Sequence, residues 1–321
     1  MKKNISIGFI GLGNLGSKLA HSLLRNGIKT YLNDINQATS VDLISAGGIW
    51  QDNPNALAKK SDIIITCLPS PEISSKVIEG KNGVLEGLSS RKIWLEMSTT
   101  TSTEVARLSK KLSILGVRSA DCPVSGGCHR AASGNIWIFA GCERETFEII
   151  LPILRILGKQ ILHTGKLGTA SDLKVMTNFL ATTHLLACCE ALTVMKAKDI
   201  DLKTTFEAIR ISSGNSFVHE TESQVILNGS RDINFTLGLV LKDIGIFQEM
   251  AESNNVPLEL SPLINRIIEN GVNKLGAEAN SPSIIELLEK STGLKILSSG
   301  FPEKITDLEP ESFGYEIKSR I

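Results

Sequence analysis

The sequence predicts an α/β protein: a doubly wound sheet over residues 1–165, an all-α domain over 166–298 and a polar C-terminal tail over 299–321. Three observations carry this. Short apolar runs alternate with amphipathic stretches through the first half. The alternation stops near QILHTGKLGTA, from Gln160. A glycine-rich segment, GLGNLG, joins the first apolar run directly to a helical pattern.

In chain order, MKKNISIGFIGLG has the short basic and apolar start of a signal peptide. Glycines break the run and no cleavage site follows, so ISIGFI reads as a strand of a cytoplasmic protein. SKLAHSLLRNG reads as a helix. TYLN, DIIITCLP, KIWLEM, VRSADCPV and NIWIFA follow as buried strands, with STEVARLSKKLSILG as another helix among them. Such alternation implies right-handed crossovers and a largely parallel sheet. From Leu167 onward, helical stretches are separated by SSGNS, LNGSRDIN, SNNVP and GAEANSP. The stretch Leu173 to Met195 is apolar nearly all round and therefore expected to be buried. Lys174, Asn178, His184 and Glu190 interrupt it too often for a membrane span. The last stretch, SSGFPEKITDLEPESFGYEIKSRI, is polar and rich in turn formers, expected as an appended tail with little core of its own.

Lys plus Arg equals Asp plus Glu at 34 each, so no global field favours nucleic acid, an anionic membrane or an acidic partner. The six cysteines lie mostly in apolar or glycine-rich stretches, without the spacing of a zinc site or a disulfide framework. They read as reduced thiols used as small core residues, and no metal site is expected.

Within GLGNLG, Gly11 permits a tight turn, Gly13 lets backbone approach a pyrophosphate, and Gly16 lets helix and strand pack closely. Asn14 and Leu15 complete the loop, and the helix N-terminus supplies NH donors. Asp34 ends the next strand, 23 positions beyond Gly11. A carboxylate there accepts a hydrogen bond from a ribose 2'-hydroxyl and repels a 2'-phosphate. Ile35 follows, where an NADP enzyme would often carry arginine. The first domain is thus expected to be a Rossmann fold binding NAD, with NADP disfavoured.

Four separated segments then coincide: IGFIGLGNLGSKLA, DCPVSGG from Asp121, GTASDLKVMTN ending at Asn178, and LKDIGIF from Leu241. In this order and spacing the chain resembles the beta-hydroxyacid dehydrogenase family, whose nucleotide domain is 6-phosphogluconate dehydrogenase-like, over roughly residues 4 to 298. The family includes 3-hydroxyisobutyrate dehydrogenase and tartronate semialdehyde reductase. The resemblance implies that Lys174 is the catalytic acid or base and that Asn178 binds substrate and helps place the lysine. It implies that Ser125, Gly126 and Gly127 hold the substrate carboxylate, that Leu68, Pro69 and Thr99 line the nicotinamide side, and that Lys242 contacts the cofactor.

The residues themselves agree on the pair, since four-residue spacing puts Lys174 and Asn178 on one helix face. Burial and a positive nicotinamide both disfavour an ammonium at Lys174. Glu190 lies about 160° round the helix and should face another neighbour. Asp243 points about 100° away from Lys242, so a structural role is expected for it. Ser125 with its two glycines offers a hydroxyl and two unencumbered NH groups, although alone it reads equally as a turn between strands. The sequence departs from the family at Thr177, where an asparagine is frequent, at Cys122 in place of alanine, and at Ser281 in place of an acidic residue. His129, Arg130, Phe217 and His219 could shape the substrate pocket, and each reads also as a solvated loop residue.

The expected activity is reversible hydride transfer between NAD and a small 3-hydroxy acid or its semialdehyde. Glyoxylate, succinic semialdehyde and tartronate semialdehyde suit the same motifs. Two alternatives stand beside it. An imine reductase-like enzyme usually replaces the catalytic lysine, so Lys174 argues against it. A catalytically silent dinucleotide-binding assembly protein is disfavoured by Lys174, Asn178, Ser125 and the neutral net charge. The family's helical domains commonly associate, which implies a homo-oligomer, dimer or tetramer.

Overall fold

The computed structural model describes residues 5–318. The apolar runs of the first half are too short for packed helices and are bounded by turn formers, so they pair as strands. They are β1 (Ser6–Ile10), β2 (Lys29–Asn33), β3 (Ile49–Trp50), β4 (Ile63–Thr66), β5 (Ile93–Glu96), β6 (Arg118–Asp121), β7 (Val124–Ser125), β8 (Ile136–Gly141), β9 (Gly158–Gly165) and β10 (Tyr315–Ile317). All ten join one sheet in the order β10-β9-β8-β6-β5-β4-β1-β2-β3, with β7 paired to β8. Neighbours run parallel except where β8 meets β6 and β7. The strand order reverses between β1 and β4, and loops leaving the carboxyl ends of such strands diverge to leave a ligand crevice.

Both faces of the sheet are covered. Ile7, Phe9, Ile65 and Leu95 pack on one side with Leu19, Leu23 and Phe147, while Ile10, Ile64 and Trp94 pack on the other with Leu57, Val105 and Leu108. Burial on two sides is why these strands read as continuous apolar runs rather than alternating ones.

Three strands were not legible, the first being the two-residue β3. The segment where the alternation was expected to stop forms β9, parallel to β8, and only its Gly158 and Ile161 are buried. A strand so weakly covered carries little apolar signal. The tail, expected to be a mere appendage, returns to the sheet as β10. Tyr315, Glu316 and Ile317 lie in register with Gln160, Ile161 and Leu162, and the Gly314 NH donates to the Arg155 carbonyl at 2.8 Å. Backbone pairing at a sheet edge needs no apolar side chains, so a polar sequence suffices.

The chain forms two compact units. One runs up to Lys174 and includes the segment from Asp307 onward; the other spans Val175–Thr306. The second is helical, built from the greater part of a 29-residue helix, Thr169–Ala197, with Leu202–Arg210, Phe217–Leu227, Leu237–Ser253, Leu260–Leu275 and Ile285–Thr292. The long helix is long and apolar enough to cross a membrane, yet it sends Leu185, Cys189 and Leu192 into a core with Phe206, Ile226, Val240, Ile244 and Ile268. All six cysteines are free thiols.

SSGNSFVHE is not a solvated loop at its end. The Ser216 hydroxyl accepts the His219 NH at 3.0 Å, so the helix starts at Phe217. His219 is fully buried, with Nε2 2.9 Å from the Phe206 carbonyl and Nδ1 3.1 Å from Ser223 Oγ, and burial holds its imidazole below the usual range. It is a satisfied core histidine.

On the same helix the Glu222 carboxylate accepts the Ser281 hydroxyl at 2.9 Å. Burial pushes the Glu222 carboxyl from an ordinary value of 4.5 up to about 7, against that hydrogen bond. Between those values the folded chain holds a proton that the unfolded chain has lost, so this group makes stability fall as pH rises from 4.5 through about 7. Glu222→Gln is therefore expected to flatten the pH dependence of the thermal midpoint across that window. An unchanged slope would show that Glu222 does not titrate there.

Candidate active site

The loop after β1 assigns its three glycines different physical tasks. Gly11 sits at φ +94°, and a Cβ there would lie 2.2 Å from the Cys67 carbonyl oxygen. A Cβ on Gly16 would lie 1.9 Å from the Gly11 carbonyl oxygen. Around Gly13, by contrast, nothing lies within 4 Å, and Gly13 and Asn14 are exposed. The helix Gly16–Arg25 begins there with Leu15 at its N-cap and no side-chain cap. Two glycines are thus required by the chain's own packing, whereas the third leaves open backbone at the positive end of a helix. That cradle fits the pyrophosphate of a dinucleotide.

Asp34, half-buried at the end of β2, binds this loop: Oδ2 accepts the Leu12 NH at 2.6 Å and Oδ1 the Asn36 NH at 2.8 Å. A carboxylate has about four acceptor positions, so capacity remains for a ribose hydroxyl. Two backbone donors also keep the charge from swinging away. Ile35 beside it is fully exposed.

Leu68 and Pro69 follow β4, and Thr99 follows β5. The Leu68 NH donates to Ser98 Oγ at 2.7 Å, and Ser98 donates to Glu96 Oε1 from its NH at 2.9 Å and its hydroxyl at 2.5 Å. Glu96 is buried, which raises its carboxyl above the usual range, and burial with Glu96 and Cys128 nearby pushes the Cys67 thiol up to about 12. Glu96 therefore braces both loops. Within KIWLEM it had read only as strand.

Ser125 lies on β7 opposite Trp137 of β8, and Gly126 and Gly127, at φ +114° and +83°, turn the chain into the helix Gly127–Ala132. The first residue of the same motif does something the sequence did not disclose. Asp121 is wholly buried; its Oδ1 accepts the Gly168 NH at 2.8 Å, and its Oδ2 accepts the Ser171 NH at 2.7 Å and hydroxyl at 2.9 Å. Burial raises its carboxyl, and these hydrogen bonds pull it back. The donors lie at the N-terminal end of the helix Thr169–Ala197, where a negative charge is favoured. Lys174, 8% exposed, stands one turn further on.

In the helical unit Asn178 Nδ2 donates to Asp243 Oδ2 at 2.5 Å, and Lys242 Nζ lies 2.8 Å from Asp243 Oδ1. Asp243 is 2% exposed, and Phe179 and Phe247 stack at 4.4 Å between the same two helices. The structural role expected for Asp243 is to hold the Asn178 amide, and although it stands about 100° round the helix from Lys242 it pairs with that lysine as well. The angle from Lys242 along one helix could not reveal which helix lies opposite.

Residues 6–165 match the NAD binding domain of 6-phosphogluconate dehydrogenase, and residues 168–288 match the NAD-binding domain of NADP-dependent 3-hydroxyisobutyrate dehydrogenase. The chain is 32% identical over 298 residues to 2-(hydroxymethyl)glutarate dehydrogenase of Eubacterium barkeri, covering 92% of this chain and 99% of that one. It is 28% identical to mitochondrial 3-hydroxyisobutyrate dehydrogenase of Mus musculus, covering 90% and 89%. A solved structure of 3-hydroxyisobutyrate dehydrogenase from Salmonella typhimurium superposes with a TM-score of 0.81 at 23% identity, covering 88% of this chain and 99% of that one, a likeness of fold.

The division of labour among the glycines can be measured. Gly13→Ala is expected to change folding stability by about 0.5 kcal/mol or less while weakening dinucleotide binding at least about tenfold in calorimetric titration. Gly16→Ala is expected to unfold the first unit. A Gly13→Ala protein that binds the dinucleotide as tightly as the parent would contradict the assignment.

Proposed function

This chain belongs to the beta-hydroxyacid dehydrogenase family and is an NAD(P)-dependent hydroxyacid dehydrogenase; from that premise we propose that it reversibly oxidises a small 3-hydroxy acid to its semialdehyde, with NAD preferred over NADP and Lys174 as the proton carrier. The observation that carries this reading is the buried Lys174 one turn from the Asp121 cap, with Asn178 one turn further along.

In this reading Gly11, Gly13 and Gly16, with Asn14 and Leu15, cradle the pyrophosphate. Asp34 takes the adenosine ribose hydroxyl, Leu68, Pro69 and Thr99 line the nicotinamide side, and Lys242 adds a cation toward the cofactor. The dinucleotide, when bound, supplies the acceptor or donor of a hydride. Ser125 Oγ and the NH groups of Gly126 and Gly127 receive the substrate carboxylate and so fix the carbon that bears the hydroxyl. During oxidation Lys174 Nζ removes the hydroxyl proton as the carbon–hydrogen bond breaks. During reduction its ammonium form returns that proton. Asn178 Nδ2 donates to Asp243, so the amide that addresses the substrate oxygen in this reading is held in one orientation.

The preference for NAD rests on Asp34. A 2'-phosphate would meet a carboxylate that Leu12 and Asn36 hold in place. The relatives named for 2-(hydroxymethyl)glutarate and 3-hydroxyisobutyrate support a substrate with a primary alcohol one carbon removed from the carbon bearing the carboxylate. We further propose a cytoplasmic homo-oligomer, dimer or tetramer; Leu180 and Val194, 43% and 54% exposed on the long helix, are apolar surface that a second copy would cover.

Lys174→Ala is expected to lower kcat by about 10²–10⁴ and leave the dissociation constant for NAD within about twofold of the parent; near-parent turnover across a panel of 3-hydroxy acids would overturn the assignment. For the unaltered protein, kcat/KM with NAD should exceed that with NADP at least about tenfold, and equal efficiency would refute the role of Asp34.

A further inference from the structure

We propose that Asp307 and Glu309 of the C-terminal tail are positioning residues for the substrate segment Ser125–Gly127, acting through Arg130 and thereby setting affinity for the hydroxy acid. This rests on the reading of that segment as the carboxylate site.

Gly126 and Gly127 sit at positive φ, so nothing in their own side chains restrains the backbone that offers NH groups to the substrate. The restraint comes from Arg130. Its Cδ lies 3.0 Å from where a Cβ on Gly126 would stand, and its guanidinium lies 4.7 Å from the ring centroid of Trp137, the β8 partner of Ser125. Arg130 is thus wedged between the substrate segment and the strand behind it. Only 14% of its side chain is exposed, and such a cation keeps its place only if countercharge reaches it.

That countercharge comes from the tail. Arg130 Nη2 donates to Glu309 Oε2 at 2.7 Å, and Nη1 lies 3.9 Å from Asp307 Oδ1. Its Nε is used by the Asn135 carbonyl at 3.1 Å. The same two tail residues also secure the end of the helix Gly127–Ala132. Asp307 Oδ2 accepts from Ser133 Oγ, and from Asn135 Nδ2 at 2.7 Å, and that amide also donates to the Glu309 carbonyl at 2.7 Å. Burial works against the Asp307 charge, yet the hydrogen bonds from Ser133, Asn135 and the Glu309 NH, with the charge of Arg130, hold its carboxyl below the usual range.

The tail has other anchors that do not involve this helix. Glu311 receives both Nε and Nη2 of Arg25 at 2.9 Å, Arg144 pairs with Glu316, and β10 lies in register on β9. A tail needed only to brace the sheet would be complete with these. The contacts of Asp307 and Glu309 with Arg130 are additional, Glu309 Oε1 also lying 3.3 Å from Lys159 Nζ of β9.

The test uses full-length protein, 3-hydroxyisobutyrate as the substrate probe and four variants: Asp307→Asn with Glu309→Gln, Arg130→Met, Glu311→Gln and Ser125→Ala. The double tail variant and Arg130→Met are each expected to raise KM for the hydroxy acid about three- to tenfold, with kcat and KM for NAD within about twofold. Combined, they should be no worse than Arg130→Met alone, because they act on one path. Glu311→Gln should lower the melting temperature and leave KM alone. If the double tail variant lowers the melting temperature but not substrate affinity, while Ser125→Ala does raise KM, the proposal is overturned. Additive effects of Arg130→Met and the double variant overturn it as well. If Ser125→Ala also leaves KM unchanged, the carboxylate reading itself has failed, and the proposal with it.

Discussion

The candidate site depends on one buried carboxylate. Asp121 ends β6 inside the substrate motif, yet its oxygens are spent on the amides of Gly168 and Ser171 at the start of the long helix. A helix cap is worth about 1 kcal/mol and a hydrogen bond to a charged group about 1.5–3 kcal/mol, modest against the hydrophobic core. Its importance is positional. The helix runs unbroken from Thr169 to Ala197, so fixing its first turn fixes the angular position of Lys174 and, four residues on, of Asn178. Moving that end by one residue would turn both side chains by about 100°.

Within each unit, ordinary structural devices hold polar groups in place. Glu96 ties the loop after β4 to the loop after β5, Asp34 ties the glycine loop to the end of β2, and Asp243 ties the Asn178 amide to the helix Leu237–Ser253. Asp34 and Asp243 accept directly from a neighbouring segment, whereas Glu96 acts through Ser98, whose hydroxyl receives the Leu68 NH. Such bonds restrict rotation as well as position, which a site for directional proton and hydride transfer requires.

The parts legible in the sequence were those encoded locally. β1, β2, β4 and β5 announced themselves as apolar runs because both faces of the sheet are covered, and GLGNLG was readable because the glycine roles follow from backbone geometry within six residues. The two-residue β3, weakly covered β9 and the polar β10 were missed, since their pairing uses backbone groups that every residue possesses. His219 was misread because its helix starts with a serine cap, which left FVHE looking like the continuation of a loop.

The class of fold, the dinucleotide loop, the family and the spacing of Lys174 and Asn178 on one helix face are written in the order of the residues. All of these depend on residue type and separation along the chain. The tasks of Asp121, Glu96, Asp243, Asp307 and Glu309 emerge only once the chain is folded. A carboxylate reads the same wherever it stands, and its partner is set by which segment folding brings within about 3 Å: 47 positions away for Asp121 and Gly168, 65 for Asn178 and Asp243, and 179 for Arg130 and Glu309. Hydrogen bonding is short-ranged in space and blind to sequence distance, so these pairings come into view only when the fold does.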